Sequence, residues 1–353
     1  MAPLGVIEGF FGRPWGNGAR LTDAPFLRAR GFEFYIYAPK ADRYLRRQWR
    51  EPIPPAQLAQ LAALCAGYRQ CGLKFGIGLT PFELHHDYSG AVREDLRNKV
   101  RQLNSIGIDI LCVLFDDMHG AVPQLAQLQA RAVRDVSGWT TAQSLIFCPT
   151  YYCDDPMLAR VFGPPPLRYL EELGAALDPA VNIFWTGEKV CSSEYSDRHL
   201  EQVAERLGRK PFIWDNHVAN DGRERCAHLF MDIGAAGWSL PRDRVAGLVI
   251  NPMNQPALSR LPLAAFAARF LGTPTGCETG FESLARSLCG DALGAELTAA
   301  CDLFQNRGIA ALDESDRQRL IEKFSRYASE RCATEVVSWL RGEYEFDPQC
   351  LLE

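Results

Sequence analysis

The sequence has no surplus of basic charge: 38 Lys and Arg against 43 Asp and Glu leave a formal net charge of −5. A chain so balanced has little with which to displace counterions from a phosphate backbone, which excludes a dedicated nucleic-acid binder. No uninterrupted apolar run approaches the ~18 residues of a bilayer-spanning helix, so no membrane partner is expected. The opening residues, Met1 to Leu4, lack the basic region and apolar core of a signal peptide. No Cys-x-x-Cys pair occurs among the twelve cysteines. Several instead sit inside apolar runs, such as Cys112 and Cys148, which reads as buried reduced thiols rather than a disulfide framework or a zinc site. A cytoplasmic setting is therefore expected. The Gly-x-Gly-x-x-Gly turn of dinucleotide-binding folds is missing, because Gly9-Phe-Phe-Gly12 has the wrong spacing. No cofactor is expected, and neither internal repeats nor low-complexity tracts are present.

What is present is a series of short runs rich in Val, Ile, Phe and Tyr. They cover residues 5–11, 32–38, 73–79, 108–115, 144–148, 181–185, 211–214 and 247–250. Each is apolar on both faces, as strands buried in a parallel sheet are. Helical patterns fill most intervals: 55–68, 92–103, 122–136, 167–177 and 196–207, with Thr22 and Asp197 as candidate helix starts. The seventh interval, Asp221 to Val245, reads as a long loop over one rim. Eight strands alternating with helices predict an α/β fold, a (β/α)8 TIM barrel, over residues 1–272. The composition changes after Pro274. Residues 276–353 read as a small all-helical C-terminal region joined through Gly272-Thr-Pro-Thr-Gly276. Apolar positions in those helices are candidates for pairing two chains.

In such barrels chemistry sits at the C-terminal ends of the strands. The runs end in Gly9 with Gly12-Arg13, Lys40, Thr80 to Glu83, Asp116-Asp117, Thr150-Tyr-Tyr152, Thr186-Gly-Glu188, Asp215-Asn216 and Asn251. Almost every run turns polar at the same end, which points to an active site. Asp116-Asp117 is the sharpest feature. Adjacent carboxylates repel unless their environments separate their pKa values, and that separation divides acid from electrostatic roles. The plainer reading has one Asp capping the next helix and the other solvated. Lys40 is read either as a surface lysine or as a donor to substrate hydroxyls. Tyr152 offers a phenolic donor, although Tyr151 could be the one that points inward. Asn216, Asp221 and Asn251 suit sugar hydroxyls, and Trp185, Trp214 and Tyr37 could wall a pyranose ring or simply fill the core. His85-His86-Asp87 and His119 invite a metal reading. The His-x-His that barrel metallohydrolases carry after the first strand is absent, so no metal is expected.

Taken in order, Gly5 to Trp15, Tyr37-Ala-Pro-Lys40, Leu114 to Asp117, Cys148 to Cys153, Trp185-Thr-Gly187, Trp214 to Asn216 with Asp221, and Asn251-Pro252 resemble glycoside hydrolase family 84. That family holds the protein O-GlcNAcases and related bacterial β-N-acetylglucosaminidases. The resemblance covers roughly residues 5–270. It implies a retaining, substrate-assisted hydrolase in which the sugar's own 2-acetamido oxygen attacks the anomeric carbon to form an oxazoline. By that resemblance Asp116 orients the acetamido group, and Asp117 is the general acid and then base. Gly9, Lys40, Asp221 and Asn251 would hold sugar hydroxyls. Tyr152 would bond the acetamido oxygen, Asn216 would support the acetamido side, and Trp214 would wall its pocket. The expected partner is a GlcNAc-bearing glycoprotein or glycoside. Phe11 departs from the Tyr common in the family, and Glu188 from a common Pro.

Two other readings stand beside this one. A double-displacement glycosidase would pair Asp117 with Asp215 or Asp221, and a catalytically retired barrel would only bind GlcNAc.

Overall fold

The computed structural model of the chain describes residues 2–234, 238–272 and 280–350. Eight parallel strands form a closed barrel in sequence order. They are β1 (Leu4–Glu8), β2 (Phe34–Tyr37), β3 (Lys74–Leu79), β4 (Ile110–Leu114), β5 (Ser144–Cys148), β6 (Asn182–Trp185), β7 (Phe212–Asp215) and β8 (Gly247–Ile250). The barrel closes where β1 pairs with β8, from Leu4 opposite Leu248 to Val6 opposite Ile250. The (β/α)8 barrel expected from the apolar runs is the fold that forms. Helices cover a parallel sheet on its outer face, so its strands are apolar along most of their length.

The surrounding helices are α1 (Asn17–Ala29), α2 (Pro55–Gln70), α3 (Gly90–Ile106), α4 (Leu125–Trp139), α5 (Pro156–Phe162), α6 (Tyr169–Ala176), α7 (Asp197–Leu207) and α8 (Pro256–Leu271). Local chemistry sets several of their ends. Pro55, Pro156 and Pro256 occupy first-turn positions, where the missing N–H has no partner to lose. Ser196 Oγ caps α7 by accepting the N–H of His199 at 3.3 Å. Asp197 is accordingly the first helical residue. Thr22 is not a helix start: α1 already begins at Asn17, and the Thr22 hydroxyl donates back to the Gly18 carbonyl at 2.7 Å. The connection from Asp221 to Val245 carries only two short 3-10 turns among the described residues. No described helix is long and apolar enough to cross a membrane.

Four further α-helices follow among the described residues, α9 (Phe281–Cys289), α10 (Asp291–Asp302), α11 (Glu314–Ser325) and α12 (Arg331–Leu340). Most of the link expected at residues 272–276 lies outside the described residues. The helices build a second apolar cluster around Leu297, Phe304, Phe324 and Trp339. It also takes in Leu229, Met253 and Leu258 from the barrel. Glu335 of α12 fastens the two parts. Its carboxylate accepts the first N–H groups of α8, Ala257 and Leu258, each at 2.9 Å. A negative charge at a helix N-terminus meets both unpaired donors and the positive end of the helix dipole. The eleven described cysteines are free thiols.

Candidate active site

The chain leaves β4 under tight control. Phe115 N–H donates to the Cys148 carbonyl at 2.9 Å, and its own carbonyl accepts the Thr150 hydroxyl at 2.8 Å. Buried Gln129 of α4 donates to that hydroxyl at 2.8 Å and takes the phenol of Tyr169. This chain of bonds ties β4, β5 and two helices to the carbonyl just before Asp116. Asp117 then adopts φ 56°, a left-handed conformation that costs a non-glycine residue and is best tolerated by Asp and Asn. Such strain persists only where the surroundings enforce it, and it clusters at functional sites.

Both carboxylates are buried, Asp116 5% exposed and Asp117 6%. Lys40 Nζ, at the end of β2, binds Asp116 Oδ2 and lies 3.6 Å from Asp117 Oδ2. The other oxygen of Asp116, Oδ1, is buried and has no hydrogen-bond partner. An orphan carboxylate oxygen costs free energy unless something arrives to meet it. Tyr152 OH donates to Asp117 Oδ1 at a long 3.4 Å. Burial pushes the Asp117 carboxyl up; Lys40 and Arg46 pull it down, and Asp116 and Asp221 add to the rise. The balance falls at about 6. Adjacent in sequence, the two aspartates are held in different surroundings.

These groups line one cavity of about 320 Å³, within the range of small-molecule sites. Gly9, Lys40, Asp116, Asp117, Tyr152, Trp214, Asn216, Asp221 and Asn251, the nine residues to which the family resemblance gives roles, all border it. Asn251 accepts the Gly9 N–H at 3.1 Å and donates to Asn216 Oδ1 at 2.9 Å; Trp214 Nε1 donates to that same oxygen at 2.8 Å. Asp221 Oδ2 accepts the Phe11 N–H at 2.8 Å. Gly9 is obligatory for this wall, since a Cβ there would lie 2.4 Å from the Trp214 ring.

Other strand-end residues fall elsewhere. Tyr152 is the inward tyrosine, because Tyr151 turns away to donate to the Gly163 carbonyl at 2.7 Å. Trp185 donates to His199 Nε2 at 3.0 Å, and Tyr37 OH to Asp42 at 2.9 Å; of the three aromatic candidates only Trp214 reaches the cavity. Asp215 is buried with both oxygens consumed. It accepts from Tyr195 OH at 2.9 Å, Trp238 Nε1 at 2.6 Å and His217 N–H at 2.8 Å, and it does not border the cavity. Lys40, expected on sugar hydroxyls, is also the counter-ion of the aspartate pair. The ring centroids of His85 and His86 lie 4.1 Å apart with the planes tilted by 45°. Burial pushes His85 down to about 4. No cluster of His, Cys, Asp or Glu among the described residues is arranged to hold an ion.

Several residues escaped the sequence reading. Cys191, Met157, Asp155 and Arg225 also line the wall, and Cys350 reaches it from beyond α12. Arg46 is 2% exposed, within 5.1 Å of the Phe11 ring, and acts electrostatically on both aspartates. Nothing in its sequence setting separates it from Arg43, Arg47 and Arg50 around it.

A closed parallel barrel that gathers two differently buried carboxylates, amides and an indole around a monosaccharide-sized cavity defines a barrel of the glycoside hydrolase type. The model of the beta-N-acetylglucosaminidase family matches residues 4–289, and the chain belongs to that family, glycoside hydrolase family 84. It is 30% identical over 258 residues to the protein O-GlcNAcases of Mus musculus and Rattus norvegicus. The matched stretch is 70% of this chain but only 28% of either relative. Among solved structures it is similar to an O-GlcNAc hydrolase mutant of Thermobaculum terrenum. That match has a TM-score of 0.72 and 28% identity, covering 96% of this chain and 74% of the other.

Proposed function

We propose that the protein is a retaining exo-β-N-acetylglucosaminidase working by substrate assistance, removing terminal β-GlcNAc, including GlcNAc O-linked to Ser or Thr of polypeptides. The observation that carries this reading is the asymmetry of Asp116. One oxygen is neutralised by Lys40 while the other is buried and unpartnered. An acetamido N–H is the donor such an oxygen needs. Accepting it orients the acetamide and enriches its carbonyl oxygen in electrons. That oxygen attacks the anomeric carbon as the glycosidic bond breaks, and Asp117 gives its proton to the departing oxygen. An acid near pKa 6 is suited to donating a proton at neutral pH and taking one back. Asp117 then removes a proton from water, which opens the oxazoline with overall retention. Tethering the nucleophile to the substrate supplies the effective molarity that an enzyme carboxylate otherwise provides, and substrate-assisted families are exceptions to the usual carboxylate pair. Tyr152 would steady the oxazoline oxygen, with Trp214 and Asn216 around the methyl side. Gly9, Lys40, Asp221 and Asn251 would take the sugar hydroxyls.

Double displacement is less well supported. Asp215 has no oxygen to spare, and Asp221 is engaged with the Phe11 backbone. Hydrolysis of an aryl β-N-acetylglucosaminide, followed by proton NMR of the first product anomer, tests the activity. Inhibition by a thiazoline mimic of the oxazoline without labelling by a 2-deoxy-2-fluoro sugar tests the mechanism; stable labelling would sink it. We also read residues 1–272 as the catalytic domain, and the free thiols as suited to the reducing cytoplasm.

A further inference from the structure

Residues 343–350, which follow α12, cross the barrel mouth without helix or strand. The segment reads Glu-Tyr-Glu-Phe-Asp-Pro-Gln-Cys, three acids and no base. It lies on arginines from three different rim loops. Glu343 pairs with Arg13 at 3.5 Å, and that guanidinium sits 5.3 Å from the Tyr344 ring. Arg223 lies 4.6 Å from the Phe346 ring. Gln349 Oε1 accepts from Arg47 Nε at 2.6 Å and from Arg46 Nη1 at 3.3 Å. Asp347 turns the chain, its carboxylate and carbonyl accepting the Gln349 and Cys350 N–H groups, and Cys350 then borders the sugar cavity. Arg46 Nε is buried without a protein partner, so this segment does not use up the donors beneath it.

The polypeptide around a glycosylated Ser or Thr would have to leave the cavity over this same rim. We propose that Arg13, Arg46, Arg47 and Arg223 form the aglycone groove, built for an extended acidic polypeptide carrying an aromatic side chain, and that the chain's own residues 343–350 occupy it as a competing ligand. The proposal rests on the activity proposed above and names its preferred substrate class. Arginine recognises carboxylates through its fork of donors and aromatic rings through its face. The contacts of Arg13 and Arg47 are exposed and individually weak, and tethering holds the segment in place by effective concentration rather than by strength. A free polypeptide with the same groups can therefore displace it.

The test compares the full chain with a variant terminated after Gly342 and with the full-length Glu345→Lys/Asp347→Lys variant. The probes are an aryl β-N-acetylglucosaminide, an O-GlcNAc-Ser peptide with acidic, Phe-containing flanks, its Lys-substituted counterpart, and the free octapeptide of residues 343–350. Both variants should lower KM for the acidic glycopeptide about ten-fold, the factor that ~1.4 kcal/mol supplies, and the Glu345→Lys/Asp347→Lys variant, which keeps Cys350, should do so with kcat held. The octapeptide should bind the terminated variant in calorimetry and compete with the acidic glycopeptide, more weakly at high salt. Equal KM values for the acidic and Lys-substituted glycopeptides, or no octapeptide binding, overturn the groove. Octapeptide binding without aryl glycoside hydrolysis would instead overturn the proposed activity.

Discussion

Two buried charged clusters sit at strand ends of the same barrel and are built to opposite plans. Glu8, at the end of β1, is fully buried and fully met. Arg20 donates twice, at 2.7 and 2.6 Å, Trp15 N–H donates at 3.0 Å, and Tyr35 OH completes the set. Asp116 and Asp117, at the end of β4, share one lysine, leave an oxygen unpartnered and hold a strained backbone. Buried charge that is satisfied on every side locks an architecture. Buried charge that is incompletely satisfied is kept at a cost to stability, and the compensation lies in what it can do to a ligand. The two clusters therefore separate residues that hold the barrel from residues that would use it.

Substitution should split them cleanly. Asp117→Asn keeps a residue that tolerates φ 56°, so the fold should survive. kcat/KM toward poor leaving groups should fall about 10²–10⁴-fold, the usual share of a general acid. Asp116→Asn should lower kcat by about 10²–10³-fold for every leaving group, because it removes electrostatic alignment rather than a proton. Its urea midpoint should fall less than that of Glu8→Gln, since relief of the Asp116–Asp117 repulsion offsets the lost Lys40 pair. Glu8→Gln should do the reverse. Breaking a buried pair costs ~3–5 kcal/mol, read as a lower urea midpoint, while the folded fraction retains its turnover. A Glu8 variant that kept its stability and lost its turnover would erase the distinction.

The smaller effects concern pH and metal. With Asp117 near 6, the proton needed for the first step is present below that pH and lost above it. The basic limb of kcat/KM for a poor leaving group should bend near pH 6, and Asp117→Asn should abolish the bend. Exhaustive chelation should leave turnover unchanged.

The barrel was legible because its strands are buried on both faces, so apolar runs such as Ile110–Leu114 stand out against amphipathic helices such as Asp197–Leu207. The short helix Pro156–Phe162 was not, since seven residues opening on a proline span barely two turns and carry little periodicity. The aspartate pair was legible because two adjacent acids at the end of an apolar run have few structural uses. Asp215 looked equally available, and only the tertiary contacts of Tyr195 and Trp238 show that it is spent. Arg46 and Cys350 reach the site across more than 300 residues of separation between the segments that meet there, and no local pattern encodes such a meeting.

The most direct test is a leaving-group series. kcat/KM would be measured for aryl β-N-acetylglucosaminides spanning several pKa units of the departing phenol, in wild type, Asp117→Asn and Asp116→Asn. Division of labour predicts a shallow dependence in wild type, a steep one in Asp117→Asn, and a uniform drop with unaltered slope in Asp116→Asn. Equal slopes in wild type and Asp117→Asn would contradict it, since Asp117 would then not be the group that protonates the leaving oxygen.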